Sequence, residues 1–492
     1  MPQDRKNHYA VLGVLRDASV EDIRRAYYEA AQRLHPDKNR FAGETELFLE
    51  VQQAYEVLSN PERRARYDAT LAPEDATESP IEWQALYSRP NLVHLNEPQL
   101  VYALFQAGPR RGGPTASTPP LNLCLVLDRS TSMQGEKLDL ARAAAMEILR
   151  SLRPQDIFSV VAFSDHPDVL LPASLQNDRT RWQSRLQTLR AGGSTELYQG
   201  LAAGVEEVRR CLDANRLNHI ILLTDGHTYG DEQKCLQLAE QAGQEKIGIS
   251  GFGIGGGWND IFLDALAGKT GNNSTYIADP RDIQRLLLDR FAELTNTYAE
   301  DTVLTARPLD GAALTYAFRI EPDGGPVSLG PELHLGPIQQ NTKLSVLLEF
   351  VVEPAASRAD RVTLLDGMLR VAVAAQPGPT PPVRVRLERE AADEARVEAP
   401  PPAILDALSR FTPYRLQERA RAEAGAEAYG EATRQLRNLA ALLLAQGEKD
   451  LAKTALLEAG QTEKMQGLSP EGSKQIKYGT RARLGNTGER HQ

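Results

Sequence analysis

Cysteine is scarce in this chain, three in 492 residues, and Cys124, Cys211 and Cys235 lie far apart with no C-x-x-C pair. Neither a disulfide framework nor a cysteine zinc site is available to staple the fold, and the expected setting is a reducing cytoplasm. Positive charge is also in deficit: 56 Lys and Arg face 66 Asp and Glu, a net charge of −10, and no basic block stands out. Phosphate binding needs a basic face that releases counterions, so no nucleic-acid partner is expected. No apolar run is long enough to span a bilayer, and no membrane association is expected. The first thirty residues contain no apolar stretch followed by small residues, so no secretion signal is expected either. The eight histidines fall outside any H-E-x-x-H context and no G-x-S-x-G occurs, so the chain is expected not to be an enzyme.

What is present is too long for one hydrophobic core. Four breaks rich in proline and small polar residues divide the chain: Ala69 to Pro80, Ala107 to Pro120, Ala375 to Pro382 and Glu390 to Pro402. They give an N-terminal module at 1–70, a linker at 71–80, strand and linker at 81–119, and a middle module at 120–298. A second β region follows at 299–390, then a helical region at 391–468 and a polar, loosely held tail at 469–492. Alternating apolar residues in 81–108 and in ALTYAFRIEP, KLSVLLEFVVEP, RVTLLDGMLRVAV and PVRVRLE predict one antiparallel sandwich, with the middle module inserted into it. In the C-terminal region, Leu405, Leu408, Leu416, Leu436, Leu439, Leu442 and Leu443 have helical spacing.

In the first module, Ser19 caps a helix with Ile23, Tyr27, Ala30, Ala31 and Leu34 on one face, and Glu44 to Leu58 forms a second amphipathic run. Between them stands His35-Pro36-Asp37-Lys38-Asn39, whose proline stops the first helix at Leu34. With His8-Tyr9-Ala10-Val11-Leu12-Gly13-Val14 before it and QAYEVLSNPERRARYD after it, this stretch resembles the J domain of DnaJ-type co-chaperones. The resemblance implies an all-α fold in which His35, Pro36 and Asp37, with Arg24 and Lys38 beside them, contact a DnaK-type chaperone and trigger its ATPase. One feature departs from the family: Tyr28 and Glu29 stand where a basic residue is common. From Ser19 to Leu34 the three bases Arg24, Arg25 and Arg33 are balanced by Glu21, Asp22 and Glu29, a neutral face that steers an acidic partner poorly. The same three letters at His166-Pro167-Asp168 follow a strand pattern and read as a surface turn. Neither a Gly/Phe-rich linker nor a zinc region follows Asp68, so client capture falls to another part of the chain.

In the middle module, apolar strands such as LNLCLVL, IFSVVAFS and HIILLT alternate with amphipathic helices, which predicts a doubly wound, Rossmann-like parallel sheet covered on both faces. Ligands in such folds bind beyond the carboxyl ends of the strands. There the sequence puts Asp128-Arg129-Ser130-Thr131-Ser132, Gly193-Ser194-Thr195 and Thr224-Asp225-Gly226. Carboxylates of Asp128 and Asp225 with hydroxyls of Ser130, Ser132 and Thr195 suit a hard divalent cation, Mg²⁺ or another such as Mn²⁺. The three segments in this order resemble the metal-ion-dependent adhesion site of the von Willebrand A family. That resemblance implies an open coordination position for a carboxylate, an exposed Asp or Glu of a partner protein. Glu196 reads as a helix-start acid, His227 as a loop residue, and Gly251-x-Gly253-x-x-Gly256 as a flexible loop rather than a dinucleotide fingerprint. The expectation is a J-domain co-chaperone that recruits a DnaK-type chaperone to a protein held through Mg²⁺. The alternatives are a scaffold or complex-assembly factor with a weak J domain and, in another class, a metal-dependent hydrolase.

Overall fold

A computed structural model describes residues 8–12, 14, 18, 20–33, 42–70, 79–110, 118–174, 179–226, 230–307, 309, 311–354, 356–373 and 380–485. At the N-terminus four helices, α1 (His8–Leu12), α2 (Val20–Arg33), α3 (Ala42–Leu58) and α4 (Pro61–Thr70), close over Tyr9, Leu12, Ile23, Val51, Ala54 and Leu58. Tyr27 stacks on Tyr55 with ring centroids 4.1 Å apart and locks α2 to α3. The start of α4 is written in the sequence: Pro61 stands at its first position, and the Asn60 side chain accepts from the backbone N–H of Glu62 and Arg63 at 3.0 and 3.1 Å. His35, Pro36, Asp37 and Lys38 lie outside the described residues.

Strands β1 (Ile81–Tyr87), β2 (Leu92–Val93) and β3 (Gln99–Pro109) follow, and then the chain leaves for the middle module. That module runs β4 (Leu121–Asp128), α5 (Glu136–Ser151), β5 (Ile157–Phe163), β6 (Pro167–Ser174), α6 (Arg179–Gln187), α7 (Leu197–Arg210), β7 (Leu217–Thr224), α8 (Glu232–Gln244), β8 (Ile247–Ile254), α9 (Asp260–Gly268), β9 (Ser274–Ile277) and α10 (Ile283–Thr295). Its sheet has the order β6-β5-β4-β7-β8-β9, parallel except for the edge strand β6. Every residue of β4, β5 and β7 is buried, as expected of strands covered by helices on both faces. The chain passes from β4 outward to β5 and later returns to β7 on the other side. The carboxyl ends of β4 and β7 therefore flank the switch point where such folds bind ligands.

The Gly251–Gly256 segment is not the flexible loop expected. Gly251 and Gly253 belong to β8, and Asn259 caps α9 by accepting from the backbone N–H of Phe262. A Cβ on Gly253 would sit 2.1 Å from the Trp258 ring, so glycine is what lets that indole pack on the strand.

Toward the amino ends of the strands, His219 is fully buried; its Nε2 lies 2.8 Å from the Ser250 hydroxyl, which accepts from Arg290 Nε at 2.9 Å. Burial first, and the Arg290 charge second, hold this imidazole neutral well below its ordinary pKa of 6.5. The unfolded chain takes up a proton near pH 6.5 that the folded chain refuses. Stability is thus complete above pH 6.5 and falls below it by up to about 1.4 kcal/mol per pH unit. The denaturant midpoint of the middle module, followed by a probe within it, should be level from pH 7.5 to about 6.5 and fall from there to 5.5, and His219→Gln should flatten that fall.

After the inserted module the chain resumes the sandwich with β10 (Thr297–Ala306), β11 (Ala312–Glu321), β12 (Gly325–Pro326), β13 (Glu332–His334), β14 (Ile338–Gln339), β15 (Leu344–Val352), β16 (Arg361–Val373) and β17 (Val383–Ala392). One sheet is β1-β3-β15-β11-β12 and the other β13-β10-β16-β17-β2, with Phe105, Val346, Phe350, Leu369 and Leu387 among the side chains between them. The pairing of β3 with β15 closes the insertion expected from sequence.

Helices α11 (Pro402–Gly425), α12 (Tyr429–Ala445), α13 (Lys449–Met465) and α14 (Pro470–Gly485) complete the fold. The buried face of α11 is Ile404, Ala407, Phe411 and Tyr414, laid on Leu104, Phe318 and Leu347 of the sandwich, whereas Leu405 is 48% exposed. The expected polar tail is corrected over residues 470–485: Pro470–Gly485 is a helix whose Ile476, Lys477, Tyr478, Thr480 and Arg481 are buried. Ion pairs of Lys477 and Arg481 with the middle module hold it, alongside Tyr478 and Ile476, which join the apolar cores of the middle module and of the helical region. Among the described residues no helix is long and apolar enough to cross a membrane.

Candidate metal centre

The last residue of β4 is Asp128, and Asp225 directly follows the last residue of β7, so neighbouring parallel strands deliver the two carboxylates to one place. Both are buried, at 0% and 5% exposure. Asp128 is clamped in position: Oδ1 accepts from the Ser130 N–H at 2.8 Å and Oδ2 from the Thr224 hydroxyl at 2.7 Å. Burial raises its carboxyl above the ordinary range and the nearby Asp225 charge adds to that, while the bonds from Ser130 and Thr224 oppose it.

The Ser130 and Ser132 hydroxyls lie 3.1 Å apart, and Ser132 donates to Asp225 Oδ1 at 2.6 Å. Thr195 arrives from a separate loop, the one leading into α7. That loop is pinned by Thr131, which donates to the Gly193 carbonyl from its N–H at 3.1 Å and its hydroxyl at 3.0 Å, by the Gly192 N–H on the Arg129 carbonyl, and by the Glu196 N–H on the Ser164 carbonyl. The Thr195 hydroxyl lies 2.9 Å from where a Cβ on Gly226 would stand, so only glycine after Asp225 leaves room for it. All five residues singled out in the sequence thus converge. Glu196 is the N-cap residue of α7, consistent with a helix-start acid, and His227 lies outside the described residues.

The donor set fits a hard divalent ion: two buried carboxylates beside neutral hydroxyls leave negative charge for a cation without neutralising it fully. Two participants were missed in the sequence. Thr224, legible in the sequence only as part of Thr224-Asp225-Gly226, orients Asp128, and its signal is a hydroxyl that ends the aliphatic run Ile220-Ile221-Leu222-Leu223. Lys137, the second residue of α5, places Nζ 2.5 Å from Asp225 Oδ2 and 3.1 Å from the Ser132 carbonyl. At the rim, Asp165 accepts at Oδ1 from the Ser194 N–H and hydroxyl, at 2.9 and 2.5 Å. Those bonds lower its carboxyl below the usual range. Behind the site, Gly257 packs on the Asp225 carbonyl, where a Cβ would lie at 3.0 Å. The loop that contains it receives Lys474 Nζ on the carbonyls of Gly256, at 2.6 Å, and Trp258.

Three protein families match parts of the chain: the DnaJ domain over residues 7–68, the von Willebrand factor type A domain over 122–288, and the Sll0103-like C-terminal alpha-helical domain over 402–486. The chain is 32% identical over 178 residues to the uncharacterized protein sll0103 of Synechocystis, across 36% of this chain and 42% of that protein. It is 38% identical over 141 residues to the chaperone protein DnaJ of Trichormus variabilis, covering 27% and 36%, and 51% identical over 71 residues to mouse DnaJ homolog subfamily B member 14, covering 14% and 19%. It therefore spans less than half the length of each of these relatives. Among solved structures, a von Willebrand factor type A protein from Catenulispora acidiphila superposes with a TM-score of 0.62 at 14% identity, over 83% of this chain and 98% of that one. The ArnB paralog VWA2 from Sulfolobus acidocaldarius does so with a TM-score of 0.53 at 17% identity, over 83% and 100%. These likenesses are to the fold. The chain thus joins a DnaJ domain, a von Willebrand A domain and a C-terminal helical domain.

Proposed function

We propose that the chain is a non-enzymatic, cytoplasmic co-chaperone adaptor that holds a protein partner through a divalent cation and brings a DnaK-type chaperone to it. The observation that carries this reading is the convergence of Asp128, Ser130, Ser132, Thr195 and Asp225 at the switch point of the sheet. These five residues would hold the ion, directly or through water. When bound, such an ion supplies an electrophilic coordination position that a partner's Asp or Glu can fill. The chain's own contribution is to gather the carboxylates by hydrogen bonds from Ser130, Ser132 and Thr224 before an ion arrives. The J-domain family match supports the chaperone half of the reading. A second reading, a scaffold or assembly factor whose J domain is weak, is favoured by the balanced charges on α2.

The test is affinity capture of partners from a cytosolic extract by the full chain in Mg²⁺, with chelator and Asp225→Ala as parallel arms. The expected result is a set of proteins retained in Mg²⁺ and lost in both other arms. A set unchanged by chelator would overturn metal-mediated binding. Turnover of a substrate that Asp225→Ala removes would support the hydrolase instead.

A further inference from the structure

A cation near the start of a helix is unfavourably placed, because the aligned peptide dipoles make that end positive. Lys137 is nevertheless the second residue of α5, and its ammonium lies 2.5 Å from Asp225 Oδ2, against a side chain only 1% exposed. The Ser132 carbonyl, at 3.1 Å, holds the same ammonium in place. Asp225 Oδ1 is meanwhile engaged by the Ser132 hydroxyl at 2.6 Å. Both oxygens of one candidate metal ligand are therefore already satisfied by the chain, one of them by a full positive charge.

We propose that Lys137 is a built-in competitor for the metal. Its ammonium balances the buried Asp225 carboxylate when no divalent ion is bound, and it contends with an incoming ion for that charge, whether it is displaced or stays alongside. The two consequences are opposite in sign. In the metal-free chain Lys137 stabilises the loop, since a buried carboxylate stripped of its partner is costly. In the metal-bound chain it weakens affinity, since two like charges share a half-buried site where Coulomb energies are several times those in water. The site is thereby tuned to sense cation concentration instead of holding its ion permanently, and partner binding through the ion becomes reversible. This inference rests on the metal reading given above.

The experiment titrates Mn²⁺ into the full chain and into Lys137→Met, Lys137→Gln and Asp225→Ala by calorimetry, with thermal melts in chelator and in Mn²⁺. Both Lys137 variants are expected to bind Mn²⁺ about ten-fold more tightly than the wild type or better. They should also melt lower than the wild type in chelator and recover in Mn²⁺. Lys137→Gln keeps a hydrogen-bond donor without the charge, so a Gln variant with wild-type affinity would assign Lys137 a purely hydrogen-bonding part and overturn the proposal. Wild-type binding with no gain in either variant overturns the Lys137 inference alone. Absence of Mn²⁺ binding in the wild type and in both Lys137 variants removes the metal reading and this inference with it.

Discussion

Replacing Asp264 by alanine is expected to release α14 from the A domain at a cost of about 3–5 kcal/mol, the range for stranding a buried charge. Asp264 accepts from Arg481 at 2.9 and 2.8 Å, from Tyr478 at 3.2 Å, and from Ser274, and it pairs with Lys477 at 2.7 Å. Burial works to raise its pKa, but the Arg481 and Lys477 charges prevail and hold the carboxyl far below the usual range. The two cations are 8% and 5% exposed, so neither can turn to solvent without moving the helix. Asp260 remains for Lys477, but Arg421 already shares it. Because the chain has several domains, the effect should be read locally, as cleavage and hydrogen exchange within 470–485, rather than as one unfolding midpoint. Wild-type protection of α14 in Asp264→Ala would show that apolar contacts such as Tyr478 against Trp258 hold the helix unaided. Replacing Asp264 and Arg481 together by leucine and methionine should cost less than the sum of the two single changes, since the pair then leaves less charge unpaired. Release of α14 also withdraws Lys474 from the loop that packs on the Asp225 carbonyl.

The same helix marks where the sequence stops being legible. PEGSKQIKYGTRARLG has few apolar residues, and its buried cations count as surface residues until Asp260 and Asp264, more than 200 positions earlier, are known to face them. A helix held by distant charge pairing carries no periodic hydrophobic signal. Helix α9 was lost for a different reason: Asn259 is a good N-cap, but the glycines before it read as loop until the close approach of Trp258 to Gly253 explains them. On α11 one leucine misled: Leu408 packs on the sandwich beside Ile404, Ala407, Phe411 and Tyr414, and Leu416 packs on the helical core, but Leu405 faces away.

By contrast, β4, β5 and β7 are buried end to end because both of their faces are covered, and the apolar runs that dominate them place their carboxyl ends. Once those ends are placed, Asp128 and Asp225 must be neighbours, and the five-residue site can be read from the chain. Lys137 could not be, since a lysine in the first turn of a helix looks like an exposed residue until its reach to Asp225 is measured.

His35→Gln is expected to abolish stimulation of a DnaK-type ATPase by the full chain while leaving Mg²⁺-dependent partner capture intact. The two proposed activities belong to separate modules, each with its own core, so a substitution in the first should not reach Asp128 or Asp225. Single-turnover ATP hydrolysis by a bacterial DnaK checks this; stimulation equal to wild type in the variant would assign the J domain no part in chaperone action. The charge balance of α2 adds a quantitative expectation. Arg24 lies over the Tyr28 ring, 5.7 Å from its centroid, so one of the few bases on this helix shares its surroundings with an exposed aromatic. Replacing Tyr28 and Glu29 by lysine raises the charge of the helix by three, and electrostatic steering should then speed docking on an acidic chaperone surface about ten-fold at low salt. That gain should shrink as ionic strength rises and the screening length falls. A wild-type chain that already docks as fast as the double variant, at every salt concentration, would show that the neutral face does not limit recruitment. Slow wild-type docking with full rescue by the two lysines would instead place the deficit on α2, and it would favour a chaperone partner whose docking surface is less acidic than that of a housekeeping DnaK.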